Sequence, residues 1–227
     1  MTHKEIYRRG VVFANGDLGK WPDGFEIKPD QDLIVASDGG YRHCRTWQVV
    51  PQLVVGDLDS IDPLDLEEIE SNNVEILRYS PEKDETDLQL ALQVVMKRGV
   101  SEIIVLGMLG ARWDMTIANV WLLGASFLDR MKITYLHGRE EIHRLHSGKA
   151  VSLFGRKGDI LTLIPVTEKV EGICLTGLAY PLENDTLYLG STRGVSNQFE
   201  KDRATIRFTK GRMLAMVTRR PTVIHPR

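Results

Sequence analysis

The chain has 227 residues, with 29 Lys or Arg against 31 Asp or Glu, for a formal charge of −2. That balance excludes a partner gripped by bulk positive charge, such as a nucleic-acid backbone or an anionic membrane surface. A hydrophobic content of 42% with 26% charged residues also excludes the composition of a disordered chain.

Cys44 and Cys174 stand far apart, and neither belongs to a CxxC or Cys/His cluster, so neither a disulfide framework nor a zinc site is expected. The N-terminus MTHKEIYRRGVVFANGD has no apolar signal core, and no run approaches the ~18 apolar residues of a membrane span. A reducing, cytoplasmic location is the expectation.

From Arg9 to about His137, short β-branched runs alternate with longer amphipathic segments. The runs are 11–14, 33–36, 53–55, 75–79, 102–106 and 132–136. Their nearly continuous apolar character predicts a mostly parallel sheet with flanking helices, a Rossmann-like α/β domain. Leu88, Ala91, Leu92 and Val95 at i, i+3, i+4 and i+7 predict a helix over 86–98, stopped by Gly99. A second helix is predicted over 114–130, apolar around much of its circumference and so packed on more than one side.

After Gly138 helical periodicity disappears. Short runs at 141–145, 151–154, 160–164, 170–175, 186–189, 204–208 and 213–218 are separated by turn signals such as Arg156-Lys157-Gly158-Asp159 and Lys210-Gly211. They predict an all-β sandwich. The expected division is 1–139 for the α/β domain and 140–227 for the sandwich.

The chemistry is concentrated in six aspartates placed just beyond predicted strands: Asp38, Asp57, Asp59, Asp84, Asp87 and Asp114. The carboxyl ends of parallel strands are where open α/β sheets bind ligands, so these acidic loops are expected to converge. In Gly56-Asp57-Leu58-Asp59-Ser60 an extended backbone puts Asp57 and Asp59 on one side, as two oxygen ligands for a hard cation. Clustered Asp without His or Cys favours Mg²⁺ over zinc. Simpler readings stand beside these: Asp84 and Asp87 as cap and first-turn charge, Asp114 as a helix opener, Asp38 as turn chemistry.

Phosphate chemistry also needs donors. Lys83, Arg112 and Arg193 lie in or beside the motifs, and Gly107–Asp114 reads as a strand end, a glycine turn and a helix start able to hold phosphate oxygens. No GxxxxGK[ST] or GxSxG sequence occurs, and the histidines at 3, 43, 137, 143, 146 and 225 avoid the acidic motifs. Metal-assisted phosphoryl or pyrophosphoryl transfer remains.

In their order along the chain, Ser37-Asp38-Gly39-Gly40, Gly56-Asp57-Leu58-Asp59-Ser60, Asp84-Glu85-Thr86-Asp87, Gly110-Ala111-Arg112-Trp113-Asp114 with Ala118-Asn119, and Gly194-Val195-Ser196-Asn197 resemble the thiamin pyrophosphokinase family. The resemblance implies an α/β catalytic domain followed by a β-sandwich, and transfer of the pyrophosphoryl group of ATP to the hydroxyl of thiamine with Mg²⁺, giving thiamine diphosphate and AMP. It implies Asp57, Asp59 and Asp87 as metal-facing acids and Arg112 with Asp114 as the phosphate-positioning pair. Asp38, Lys83, Asp84, Arg112 and Asn119 fall to nucleotide binding. Ser196 and Asn197 match a segment that approaches thiamine from the partner subunit of a homodimer.

Two positions depart from the family pattern: Ala111 replaces a glycine and Met115 a histidine. They leave open a diphosphokinase for a hydroxymethyl-pterin acceptor. A non-catalytic thiamine or nucleotide sensor is the alternative of another class. Asp17 in Asn15-Gly16-Asp17 is a seventh candidate acid.

Overall fold

The computed structural model describes residues 7–110 and 112–221. They form two compact units: one takes the described residues up to Leu122 together with Arg130–Gly138, and the other takes Leu123–Asp129 and the described residues from Arg139 onward. Ala111 lies outside the described residues, as does the segment 1–6.

The first unit is built on strands β1 (Arg9–Phe13), β2 (Asp32–Ser37), β3 (Leu53–Gly56), β4 (Glu75–Arg78), β5 (Glu102–Leu106) and β6 (Lys132–His137). They lie in the order β6-β5-β1-β2-β3-β4, every pair parallel. Val11, Val12, Ile34, Val35, Val54 and Val105 are buried, as apolar strands covered on both faces must be. Chain order runs outward from β1 to β4 on one side and resumes at β5 on the other. The carboxyl ends of β1 and β5 therefore mark the switch point where such sheets open a crevice.

Among the described residues, four α-helices lie in this unit: α1 (Tyr41–Thr46), α2 (Pro63–Ser71), α3 (Asp87–Lys97) and α4 (Trp113–Leu122). In α3 the expected stripe is buried, and the helix packs on β1, β2 and β3. Thr86, rather than an aspartate, is its N-cap, accepting from the N–H of Gln89 at 3.3 Å. Helix α4 is shorter than its apolar run. It ends at Leu122, and the next segment joins the second unit, where Arg144 holds it by donating to the carbonyls of Leu123 at 2.6 Å and Leu128 at 3.1 Å. Nor is α4 packed on several sides: Asn119 is its buried residue, while Trp113 is 80% exposed and Trp121 67%.

The second unit holds β7 (Glu140–His146), β8 (Val151–Phe154), β9 (Ile160–Pro165), β10 (Lys169–Thr176), β11 (Leu182–Tyr188), β12 (Asn197–Gln198), β13 (Arg203–Arg207) and β14 (Arg212–Thr218). Its strands pair antiparallel in two sets, β12-β9-β14-β7 and β11-β10-β13-β8. Leu145, Leu161 and Leu163 of the first set share a core with Val170, Ile173 and Ile206 of the second. The alternating burial along β9 is the two-residue period of strands with one face inward.

Candidate active site

The loops after β1, β2, β3 and β5 and the start of α3 enclose a cleft of about 290 Å³ in the first unit, lined by Asn15, Asp38, Asp57, Asp59, Asp87 and Arg112 among others. The turn after β2 delivers Asp38. Its backbone is left-handed (φ 46°), a conformation Asp tolerates better than most residues, and Gly39 and Gly40 follow. A Cβ on Gly40 would lie 2.1 Å from the Phe13 carbonyl, so only glycine lets this turn lie against β1.

After β3, Asp57 and Asp59 come together by a different route from the extended one expected. Leu58, buried between them, is left-handed at φ 69°, and the Asp59 N–H donates to Asp57 Oδ1 at 3.3 Å. This is an Asx-type turn, with the Leu58 side chain as its anchor. Gly56 precedes it at φ 153°, where a Cβ would stand 2.9 Å from Asp38 Cβ and 3.2 Å from Asp87 Oδ1. Glycine at this point lets acids from three loops approach one another.

Asp38, Asp57 and Asp59 each offer an oxygen, and the three atoms lie within 4.8 Å of one another. Asp38 is 4% exposed, and its Oδ1 has no hydrogen-bond partner. A buried carboxylate oxygen without a donor is costly unless a ligand completes it. An all-oxygen donor set fits a hard divalent cation, and Mg²⁺ is the one that chemistry favours.

Asp87, which the resemblance places among the metal-facing acids, lines the same cleft and meets Lys83 there. Lys83 Nζ lies 2.9 Å from Asp87 Oδ1 and 2.8 Å from Asp57 Oδ2. The hydrogen bond from Lys83 holds the Asp57 carboxyl below the usual range. Burial pushes Asp87 up, and Lys83 only partly opposes it. Burial also works against the Lys83 charge, but its pairing with Asp57 and Asp87 prevails and holds the amine above its ordinary value.

Arg112 reaches the cleft while exposed, donating to both oxygens of Asp114 at 3.1 and 2.5 Å. That pairing holds the Asp114 carboxyl below its usual range. Asn119 is buried on the cleft wall; its Nδ2 donates to the Met108 carbonyl at 2.8 Å, and its Oδ1 has no partner. Met115 lines the cleft too, whereas Asp84, Asp114 and Asp17 are not among its lining residues. Asp17 instead bridges to Leu109.

The role of His43 escaped the sequence reading. Its Nε2 donates to the Gly16 carbonyl at 2.8 Å, and Arg42 donates to the carbonyls of Asn15 and Gly16 at 3.0 and 2.7 Å. Together they pin the β1 loop that forms one wall. Burial lowers the His43 imidazole from its ordinary value, in keeping with a neutral ring carrying its proton on Nε2.

Ser196 and Asn197 belong to the second unit. Ser196 is left-handed at φ 61°, and its N–H donates to Thr162 Oγ1 at 3.1 Å. Asn197 lines a separate cavity of about 420 Å³ with Tyr180, Pro181 and Arg193. Its amide is engaged by the backbone: Oδ1 accepts from the N–H groups of Tyr180 and Gln198 at 3.0 and 2.9 Å, and Nδ2 donates to the Tyr180 carbonyl at 2.7 Å.

The model of the thiamin pyrophosphokinase catalytic domain matches residues 26–135, and that of the thiamin pyrophosphokinase vitamin B1 binding domain matches 142–213. The chain is 29% identical over 200 residues to the thiamine pyrophosphokinase of Bacillus subtilis (strain 168), covering 88% of this chain and 94% of the relative. It is 28% identical over 211 residues to thiamine pyrophosphokinase 1 of Oryza sativa subsp. japonica, covering 87% and 74%. A crystal structure of thiamine pyrophosphokinase from Bacillus subtilis superposes with a TM-score of 0.82 at 27% identity, covering 94% of this chain and 99% of that one. With a catalytic-domain match over the acidic cleft and a second match over the β unit, the chain belongs to the thiamin pyrophosphokinase family.

Proposed function

We infer that the chain transfers the pyrophosphoryl group of ATP to the hydroxyl of thiamine, giving thiamine diphosphate and AMP. The observation that carries this reading is the convergence of Asp38, Asp57 and Asp59 within 4.8 Å, with one buried oxygen unpaired, in a cleft that Arg112 also lines. Asp38, Asp57 and Asp59 would hold Mg²⁺. When bound, the ion supplies charge neutralisation for the polyphosphate.

The remaining work falls to the chain's own groups. Arg112, exposed at the cleft, exchanges its carboxylate partner Asp114 for phosphate oxygens, which have the same forked acceptor geometry. Asn119 Oδ1 is an acceptor for a donor group of the nucleotide. The thiamine hydroxyl oxygen bonds to the β-phosphorus and gives up its proton to solvent, as the bond from that phosphorus to the α–β bridging oxygen breaks and AMP leaves with that oxygen. Positioning and electrostatics are the main demands of such a transfer. The test is the nucleotide product: AMP for this reaction, ADP for an ordinary kinase.

The working form is a cytoplasmic homodimer, in which Ser196 and the loop fastened by Asn197 serve the partner's cleft. Trp113, Ile117 and Trp121, exposed at i, i+4 and i+8 on α4, support a second copy of the chain as their cover.

A further inference from the structure

Asp38, Asp57, Asp59 and Asp87 all line one cleft, and their mutual repulsion must be offset before any substrate arrives. The two oxygens of Asp57 divide this cluster. Oδ2 faces Lys83, which also reaches Asp87, while Oδ1 accepts from the Asp59 backbone. On one side, then, Asp57 and Asp87 share an ammonium group whose side chain is 12% exposed: it donates to Asp57 Oδ2 at 2.8 Å and faces Asp87 Oδ1 at 2.9 Å as an ion pair, without a hydrogen bond to that oxygen. On the other, Asp38, Asp57 and Asp59 each offer an oxygen within 4.8 Å of the others; among the described residues no ion pair reaches Asp38 or Asp59, and Asp38 Oδ1 has no hydrogen-bond partner. Gly56 lies against both Asp38 and Asp87.

We propose that Lys83 is a built-in cation occupying the place of a second divalent ion. The chain itself binds one divalent ion, between Asp38, Asp57 and Asp59, and Lys83 keeps the Asp57–Asp87 position closed to another. Two-metal phosphoryl-transfer sites set their ions about 3.5–4 Å apart and bridge them with shared ligands. Here Asp57 is the shared ligand, and a compact ammonium point charge replaces one ion. Lys83 is then a positioning residue for Asp57 and Asp87, rather than a phosphate ligand. The inference rests on the divalent-cation reading of the cleft.

The experiment counts Mn²⁺ bound to the nucleotide-free protein, from loss of the free-ion signal in electron paramagnetic resonance. Wild type is expected to bind one ion per chain, Lys83→Met and Lys83→Gln two, Lys83→Arg one, and Lys83→Met/Asp87→Asn one again. The proposal is overturned if wild type already binds two ions, a result that needs no variant to fold, or if folded Lys83→Gln still binds one. Wild type binding no ion, or Asp38→Asn and Asp59→Asn binding as wild type does, overturns the underlying assignment of the divalent site itself.

Discussion

The backbone N–H of Asp59 donates to the carboxylate of Asp57 at 3.3 Å, across a Leu58 whose side chain is buried and whose backbone is left-handed. The pair therefore behaves as a preformed turn rather than as two independent side chains. Asp59 has the freer role, since Asp57 also answers to Lys83. Asp59→Asn is expected to raise the Mg²⁺ concentration for half-maximal rate on the order of 10–100-fold, the range for disturbing a metal's ordered ligands. The Michaelis constant for thiamine should stay within about twofold, by the logic that separates transition-state from uniform binding losses. Steady-state titrations of each ligand check this, and an unchanged Mg²⁺ response removes Asp59 from the metal-holding group.

Gly56 is the meeting point of Asp38 and Asp87. In Gly56→Ala the new Cβ meets Asp38 Cβ at 2.9 Å from a backbone that L residues rarely adopt. Denaturant unfolding should show a loss of about 1–3 kcal/mol, the cost of a strained backbone position. Divalent-ion binding should weaken in the fraction that remains folded, because Asp38 is the residue displaced.

Arg144 is almost fully buried, and it holds the segment after α4 through the carbonyls of Leu123, Ala125 and Leu128 and the carboxylate of Asp129. Arg144→Met takes that donor from the buried carbonyls of Leu123 and Leu128, while Asp129 keeps Arg212, and is expected to destabilise by about 1–3 kcal/mol, the cost of buried acceptors left without a donor. Chemical denaturation measures the loss; a cost below about 1 kcal/mol, typical of an ordinary surface ion pair, contradicts the role given to Arg144.

Asp129 gives the fold an acid-sensitive element. Arg212, donating at 3.0 Å through two nitrogens, and then Arg144 lower its carboxyl to about 2. The folded value lies below the unfolded one of about 3.9, so its stabilisation is complete above about pH 4 and disappears as pH falls towards 2. Asp129→Asn should flatten the decline of stability across that window. Melting temperatures of both proteins between pH 5 and 2.5 decide the matter, and parallel curves contradict it.

If the cleft of one copy uses Ser196 of another, inactive Asp57→Asn mixed with an inactive Ser196→Trp chain should regain up to roughly a quarter of wild-type activity, the statistical share of sites built from two intact halves in a symmetric dimer. No recovery despite demonstrated subunit exchange places the whole site in one chain.

The strands of the first unit were legible because their Val and Ile runs are buried on both faces. So was α3, whose stripe faces β1, β2 and β3. Helix α2 was missed although Asp62 caps it and Pro63 opens it; Asp65 and Ile69 are its buried residues, leaving little apolar period to read. Helix α1 is one and a half turns long, too short for a periodic signal. The run for β11 was placed late because Glu183, Asn184 and Asp185 belong to an irregular outer strand, with shifts in its pairing to β10. In the cleft, residue types and their order pointed to the acids. The pairing of Lys83 with Asp57 across 26 positions, the turn at Leu58 and the His43 prop depend on tertiary placement. The bonds of Asn197 to the backbone of Tyr180 and Gln198 depend on tertiary placement in the same way.

The most direct measurement of the central claim is phosphorus NMR of the protein with ATP, Mg²⁺ and thiamine, run beside Asp57→Asn. The account predicts stoichiometric AMP and thiamine diphosphate from wild type and neither from the folded variant. Formation of ADP, or products that persist at the wild-type rate without Asp57, contradicts it.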